Sequence, residues 1–327
     1  MPTADVTTAW GPDVLGVDFE ARTLPLADDD EGAVVATLVR HRPPQDEPVR
    51  PARAILYLHG WSDYFFQTPL AEYWHRQGAA FYALDLRKYG RSLRAHQTPN
   101  YITDLATYDE EIDLAVEAIH EDLGRHARIM VMGHSTGGLI AVLWAQRHPG
   151  LAAGLVLNSP WLELTGSSMM RTMSTPLVQR LARHQPKTPM MLVDPGFYTR
   201  TILARLGGEW EYDEAWRPTP FFPVRPGWLQ AIITGHAHVA RGLDLKVPVL
   251  MGASARSVIL PRWRESMREA DTVLDVDLLA RRAVLLGSTV TVVRIPGGLH
   301  DLTLSPAPVR ARFYDELTRW TTAYGWV

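Results

Sequence analysis

The sequence predicts an α/β fold: a mostly parallel central sheet with helices on both faces, interrupted once by an inserted segment. Three observations predict it. Short apolar runs alternate with stretches of helical period from about residue 54 to 157, as strands joined by crossover helices do. The alternation stops between Ser159 and about Leu245, then resumes to the end of the chain. The 327 residues are 46% hydrophobic and 21% charged, enough material for one core, and α/β chains of this length often form a single unit.

The elements follow in order. Phe19–Leu26 and Ala33–His41 read as a hairpin around the turn cluster of residues 27–32, and residues 42–51 are rich in proline and charge. Ala54–Leu58 is a strand ending at His59-Gly60, 69–77 a helix stopped by Gly78, and 79–84 a strand. Leu105, Tyr108, Ile112, Ala115, Ile119 and Leu123 recur at helical spacing before Gly124. Residues 129–132, 136–147 and 154–157 read as strand, helix and strand. Beyond the interruption, 247–252 is a strand, 276–286 a helix, 289–295 a strand and 308–324 a helix. The expected organisation is a core of residues 1–159 and 246–327 carrying an inserted cap, 160–245.

Composition removes several function classes. A net charge of -3 without a basic block gives no footing for nucleic-acid binding. The absence of cysteine excludes a disulfide framework, thiolate-held zinc and a cysteine nucleophile. No stretch reaches the roughly 18 apolar residues of a membrane span. Residues 1–10 lack the basic start and apolar run of a secretory signal, so a cytoplasmic protein without stable membrane insertion is expected.

Gly133-His134-Ser135-Thr136-Gly137 fits G-x-S-x-G, follows an expected strand and opens an expected helix. That context is what a nucleophile elbow requires: a tight turn lifting Ser135 above the strand ends, against the positive end of a helix. Serine needs a base to become nucleophilic. Of twelve histidines, His300 is the best placed, in a glycine-rich loop directly after the last expected strand. His134 and His59 sit where they would support the site. His236 and His238 lack further ligands nearby, so no metal is expected.

The chain resembles the α/β-hydrolases, in particular the capped monoacylglycerol lipase and lysophospholipase-like branch that includes serine aminopeptidase (S33-type) enzymes. The resemblance rests on Leu58-His59-Gly60-Trp61, the run Asp85–Ser92, the elbow, and Gly297-Gly298-Leu299-His300. It implies an α/β-hydrolase fold, catalysis by Ser135 and His300, and no cofactor. It also implies an acid shortly after the strand 247–252, but residues 253–257 hold no carboxylate. Asp271, followed by a Thr-Val-Leu run like that of the relatives, is the expected acid. Asp275, second choice, sits with Asp277 at a helix start, where a cap explains it. The order Ser135, Asp271, His300 is the one this fold uses.

The backbone N–H groups of Trp61 and Thr136 are the expected oxyanion donors. Trp61, Trp161, Met169, Met170, Met173, Phe197 and Phe221 are expected to line the substrate pocket, since thioethers and flat rings suit an apolar chain or ring. The expected partner is a small-molecule ester of medium size, such as a monoacylglycerol, a simple carboxylic ester or a monoester of an aromatic acid. An amide or peptide hydrolase using Glu209, Glu211, Asp213 and Glu214 to hold an amino group is one alternative. A non-catalytic ligand-binding homologue is another. Ser135 in the elbow disfavours a haloalkane dehalogenase, whose nucleophile is an aspartate.

Overall fold

The computed structural model describes residues 9–43, 52–164, 168–190 and 195–326, without the side chains of 168–175. Nine strands form one sheet: β1 (Gly11–Asp13), β2 (Gly16–Pro25), β3 (Val35–His41), β4 (Arg53–Leu58), β5 (Ala80–Asp85), β6 (Arg128–His134), β7 (Gly154–Asn158), β8 (Val249–Ser254) and β9 (Val290–Ile295). Their order is β1-β2-β3-β5-β4-β6-β7-β8-β9. The first three pair antiparallel, as does β3 with β5, and every pairing from β5 to β9 is parallel.

Helices cover both faces. Along β4, Leu56 and Leu58 join the cluster containing Ile112 and Ile119 of α2 (Asp109–Leu123) and Leu139 and Trp144 of α3 (Thr136–Arg147). Ile55 and Tyr57 point the other way, to Leu70 and Trp74 of α1 (Thr68–Arg76) and Phe313 and Leu317 of α8 (Ala307–Trp320). The side-chain period of two thus feeds both cores from one strand, which is why the parallel strands read as unbroken apolar runs. Strand order reverses at β4: the chain crosses to β5 on one side and returns to β6 on the other. The carboxyl ends of β4 and β6 therefore flank the crevice where open α/β sheets bind ligands.

Between β7 and β8 the chain leaves the sheet and forms α4 (Ser168–His184), α5 (Phe197–Ile202) and α6 (Pro226–Ala240). The sequence shows no regular strand–helix rhythm over this stretch and does not mark these helices. The reason is plain for α6, which is apolar on two sides. Gly235 packs so closely on Leu105 and Leu143 that a Cβ would come within 2.7 Å of Leu105, while Leu229 and Ile233 face a cavity. A helix buried on two faces loses the amphipathic stripe by which helices are read. Strand β1 was missed as well, being only three residues long. The last expected helix ends as α8 at Trp320 and continues as one wider turn over Thr321–Gly325. α7 (Val276–Ala283) completes the set.

Candidate active site

Ser135 stands between β6 and α3 with φ 50° and ψ −113°, a conformation that costs a non-glycine residue energy and persists only where packing enforces it. The enforcement is steric. A Cβ on Gly133 would lie 2.5 Å from the Gly137 carbonyl oxygen, and one on Gly137 would lie 2.4 Å from the carbonyl oxygens of Leu58 and His59. Both glycines of the motif are thus required by close backbone approach, not by chemistry.

His300 follows β9 in a loop that turns through Gly297 at φ 77°. Its buried ring sets Nε2 3.1 Å from Ser135 Oγ and Nδ1 2.9 Å from Asp271 Oδ2. A carboxylate at Nδ1 selects the tautomer with the proton there, leaving Nε2 free to accept from the serine. Asp271 reaches this position after an excursion beyond β8. Asp271 N donates to Arg256 O at 3.0 Å and Val258 N donates to Asp271 O at 2.8 Å, closing an isolated parallel bridge between Ser257 and Asp271. Its other oxygen, Oδ1, accepts from Val273 N at 2.7 Å and Leu274 N at 2.8 Å. The structure therefore brings Ser135, Asp271 and His300 together. Asp275 stands apart as the N-cap of α7, accepting from Asp277 N and Leu278 N at 3.0 and 3.1 Å.

Two other histidines of the region, His134 and His59, are buried and bonded to backbone groups. His134 Nδ1 meets the Asn158 carbonyl at 3.1 Å, and burial pushes its pKa down, against the pull of Asp301. Asn158 in turn donates to Asp301 Oδ1 at 2.6 Å and accepts from Leu302 N at 3.0 Å, which anchors the chain on the far side of His300. His59 Nε2 accepts from Leu86 N at 3.1 Å, and its Nδ1 lies 2.7 Å from Gly60 O. The sequence reading missed Asn158 and Asp301; the one available signal was that Asp301 directly follows His300.

The loop after β4 presses against Ser135: a Cβ on Gly60 would lie 3.4 Å from Ser135 Cβ. Trp61 and Thr136 both line the cavity beside Ser135. Among the described residues, neither of their N–H groups donates to a backbone acceptor.

The cavity is about 590 Å³ and reaches Ser135 and His300. Trp61, Trp161, Phe197 and Phe221 all line it, as does Met190. Trp228 also lines it and lies between Trp61 and Trp161, its ring tilted by 34° and 35° to theirs at centroid distances of 5.2 and 5.9 Å. The side chains of Met169, Met170 and Met173 lie outside the described part of the structure. The cavity lining also includes Asp63 and the buried Arg217, paired at 2.8 Å. Nothing in the sequence pattern marked either residue. Asp213 and Glu214 do not line the cavity: Glu214 pairs with Arg205, and Asp213 Oδ1 accepts from Ala215 N. His236 gives Nε2 to the Trp161 carbonyl at 2.8 Å, and burial lowers its pKa to about 4. Among the described residues, no cluster of His, Asp and Glu could hold a metal ion, and no helix is long and apolar enough to cross a membrane.

Comparison with known proteins adds the family. A phospholipase of Bacillus subtilis, YtpA, is 33% identical over 119 residues, covering 35% of this chain and 43% of that protein. The chain thus matches less than half the length of this curated relative. A monoacylglycerol lipase of Paleococcus ferrophilus superposes with a TM-score of 0.60 at 19% identity, over 82% of this chain and 93% of that one. A monoglyceride lipase of Saccharomyces cerevisiae gives 0.63 at 16% identity, over 92% and 96%. These likenesses establish the α/β-hydrolase fold. The family model described as serine aminopeptidase, S33, matches residues 49–304; the chain belongs to this family of α/β-fold hydrolases.

Proposed function

We propose that the protein is a serine hydrolase that cleaves a carboxylic ester through an acyl-enzyme. The single observation that carries this reading is His300 bridging Ser135 Oγ and Asp271 at 3.1 and 2.9 Å. His300 Nε2 takes the Ser135 proton as Oγ attacks the ester carbonyl, and Asp271 stabilises the imidazolium that forms. The N–H groups of Trp61 and Thr136 meet the developing oxyanion, each contributing about 3–4 kcal/mol in the transition state. His300 then gives its proton to the departing alcohol, and the reverse sequence with water releases the acid.

Residues 160–245 act as a cap in this proposal and wall the acyl pocket with Trp161, Phe197, Phe221 and Trp228. The rings favour a medium-sized apolar ester, such as a monoacylglycerol or a simple monoester. The monoacylglycerol and monoglyceride lipases among the structural relatives support the same class. An aminopeptidase reading finds less support: among the described residues, the one carboxylate lining the cavity, Asp63, already faces Arg217.

A panel of p-nitrophenyl and glycerol esters, assayed with native protein and Ser135→Ala, tests the proposal. Native turnover and fluorophosphonate labelling that both vanish in Ser135→Ala are expected. An unlabelled, inactive native protein would instead support a non-catalytic binding role.

A further inference from the structure

We propose that residues 212–222 form a brace that fixes the loop carrying the Trp61 oxyanion donor, with Arg217 as its central positioning residue. The proposal rests on the reading of Trp61 N–H as an oxyanion donor.

The loop leaving β4 has no strand partner to define it, and Ser62 within it adopts φ 51°, a left-handed conformation unfavourable for serine. Something outside the loop must hold it. Five of its residues, taken in order, each meet the segment 212–222. The Trp61 ring stands edge-on to Phe221 at 5.9 Å. Ser62 Oγ accepts from Phe222 N at 3.2 Å. Asp63 Oδ1 faces Arg217 Nε at 2.8 Å. Tyr64 Oη accepts from Asp213 N at 2.7 Å, and its ring lies edge-on to Trp216 at 5.1 Å. Phe66 lies beside Tyr212 at 5.1 Å. The two segments thus run side by side in opposite directions.

Arg217 is the middle contact. Its guanidinium is buried, with the rings of Tyr212, Tyr198, Phe221 and Phe66 at 4.8, 5.2, 5.7 and 5.8 Å. Among the described residues, Asp63 is the one carboxylate paired with it. A buried ion pair is a poor source of net stability, but losing one partner strands the other charge. A planar guanidinium boxed by rings therefore admits few positions for the carboxylate facing it. Asp63 lies two residues from the Trp61 amide, and an oxyanion donor must be held within about 0.5 Å to be effective. The segment 212–222 is, on this view, part of the catalytic scaffold and does not swing open.

The test uses the full chain, with Arg217→Met and two milder variants, Tyr64→Phe and Ser62→Ala, should the first fail to fold. Hydrogen exchange of the amides from 60 to 66 reads the brace directly; it should quicken roughly tenfold in the variants while β6 and α3 keep their protection. Ester and matched thionoester substrates read the donor, because a thiocarbonyl draws much less stabilisation from N–H groups than an oxyanion does. The variants should lose roughly ten- to a hundredfold in kcat on the ester, less on the thionoester, with KM little changed. Asp271→Asn should slow both substrates alike. Unchanged loop exchange in every variant overturns the brace. Faster exchange with an unaltered ester-to-thionoester ratio overturns the positioning role. If the native protein shows no Ser135-dependent turnover, the functional reading falls and the positioning role with it, while the exchange data still decide whether the brace exists.

Discussion

Ser257 and Asp271 lie side by side in a single parallel bridge, and this pairing returns Asp271 to the end of β8 after the chain has wandered through residues 258–270. The bridge explains how a carboxylate distant in sequence from the strand meets His300. It also separates two acids that the sequence leaves as competitors. Asp271→Asn is expected to lower kcat by about 10⁴-fold, since the imidazole would lose its preferred tautomer. Asp275→Asn should leave kcat near native, and Asp275→Ala should cost about 1 kcal/mol of stability as a lost helix cap. Ester kinetics and thermal melts of these variants decide the matter; near-native activity in Asp271→Asn would exclude it as the acid.

The elbow glycines are predicted to be structural requirements. Gly137→Ala puts a Cβ 2.4 Å from two carbonyl oxygens of the neighbouring strand end, backbone atoms that no side-chain rotation can move. A loss of about 3 kcal/mol, the upper range for overpacking, is expected in urea unfolding. A variant as stable as the native protein would mean that β4 and α3 can separate without cost.

Substrate length should be read by the cavity. Each added methylene in the acyl chain should raise kcat/KM roughly fourfold until the space is full, as expected from about 0.8 kcal/mol per buried CH₂. Ile233, on α6, lines the cavity, so Ile233→Trp should move the optimum to shorter chains while leaving the shortest esters unaffected. A flat profile across chain lengths would contradict an acyl pocket.

Acid should weaken the fold through His236. The unfolded imidazole titrates near 6.5 and the buried one near 4, so between these values the unfolded chain holds the extra proton and stability falls as the pH drops. The loss should amount to about 2 kcal/mol at pH 5 relative to pH 7.5. It should level off below about pH 4. His236→Gln keeps a donor for the Trp161 carbonyl and removes this titration. Urea unfolding at the two pH values should show the variant losing less stability than the native chain; equal losses would assign the acid sensitivity elsewhere, for instance to His41, which burial also lowers to about 4.

Much of the core was legible in the residues themselves. Helix α3 begins and ends where its period places it, at Thr136 and Arg147, because glycines mark its start and an apolar run fills its length. The strands before and after it are short, apolar and bounded by turn residues, and local preference suffices to find them. Helices α4 to α6 were invisible for the opposite reason. Pro176 lies inside α4, a residue that ordinarily ends a helix, and α6 packs on both the core and the cavity, so it lacks a single polar face.

The sequence by itself determined the strand–turn–helix that carries Ser135, the parallel sheet around it and the glycine-rich loop that holds His300. Each of these depends on residues close together in the chain, where sterics and period act directly. Only the tertiary structure decided that Asp271 and not Asp275 meets His300, that Trp228 joins Trp61 and Trp161 in one wall, and that Arg217 faces Asp63. Those meetings join segments that pack against one another only once the chain has folded, and no spacing along the chain encodes which side chains will then touch.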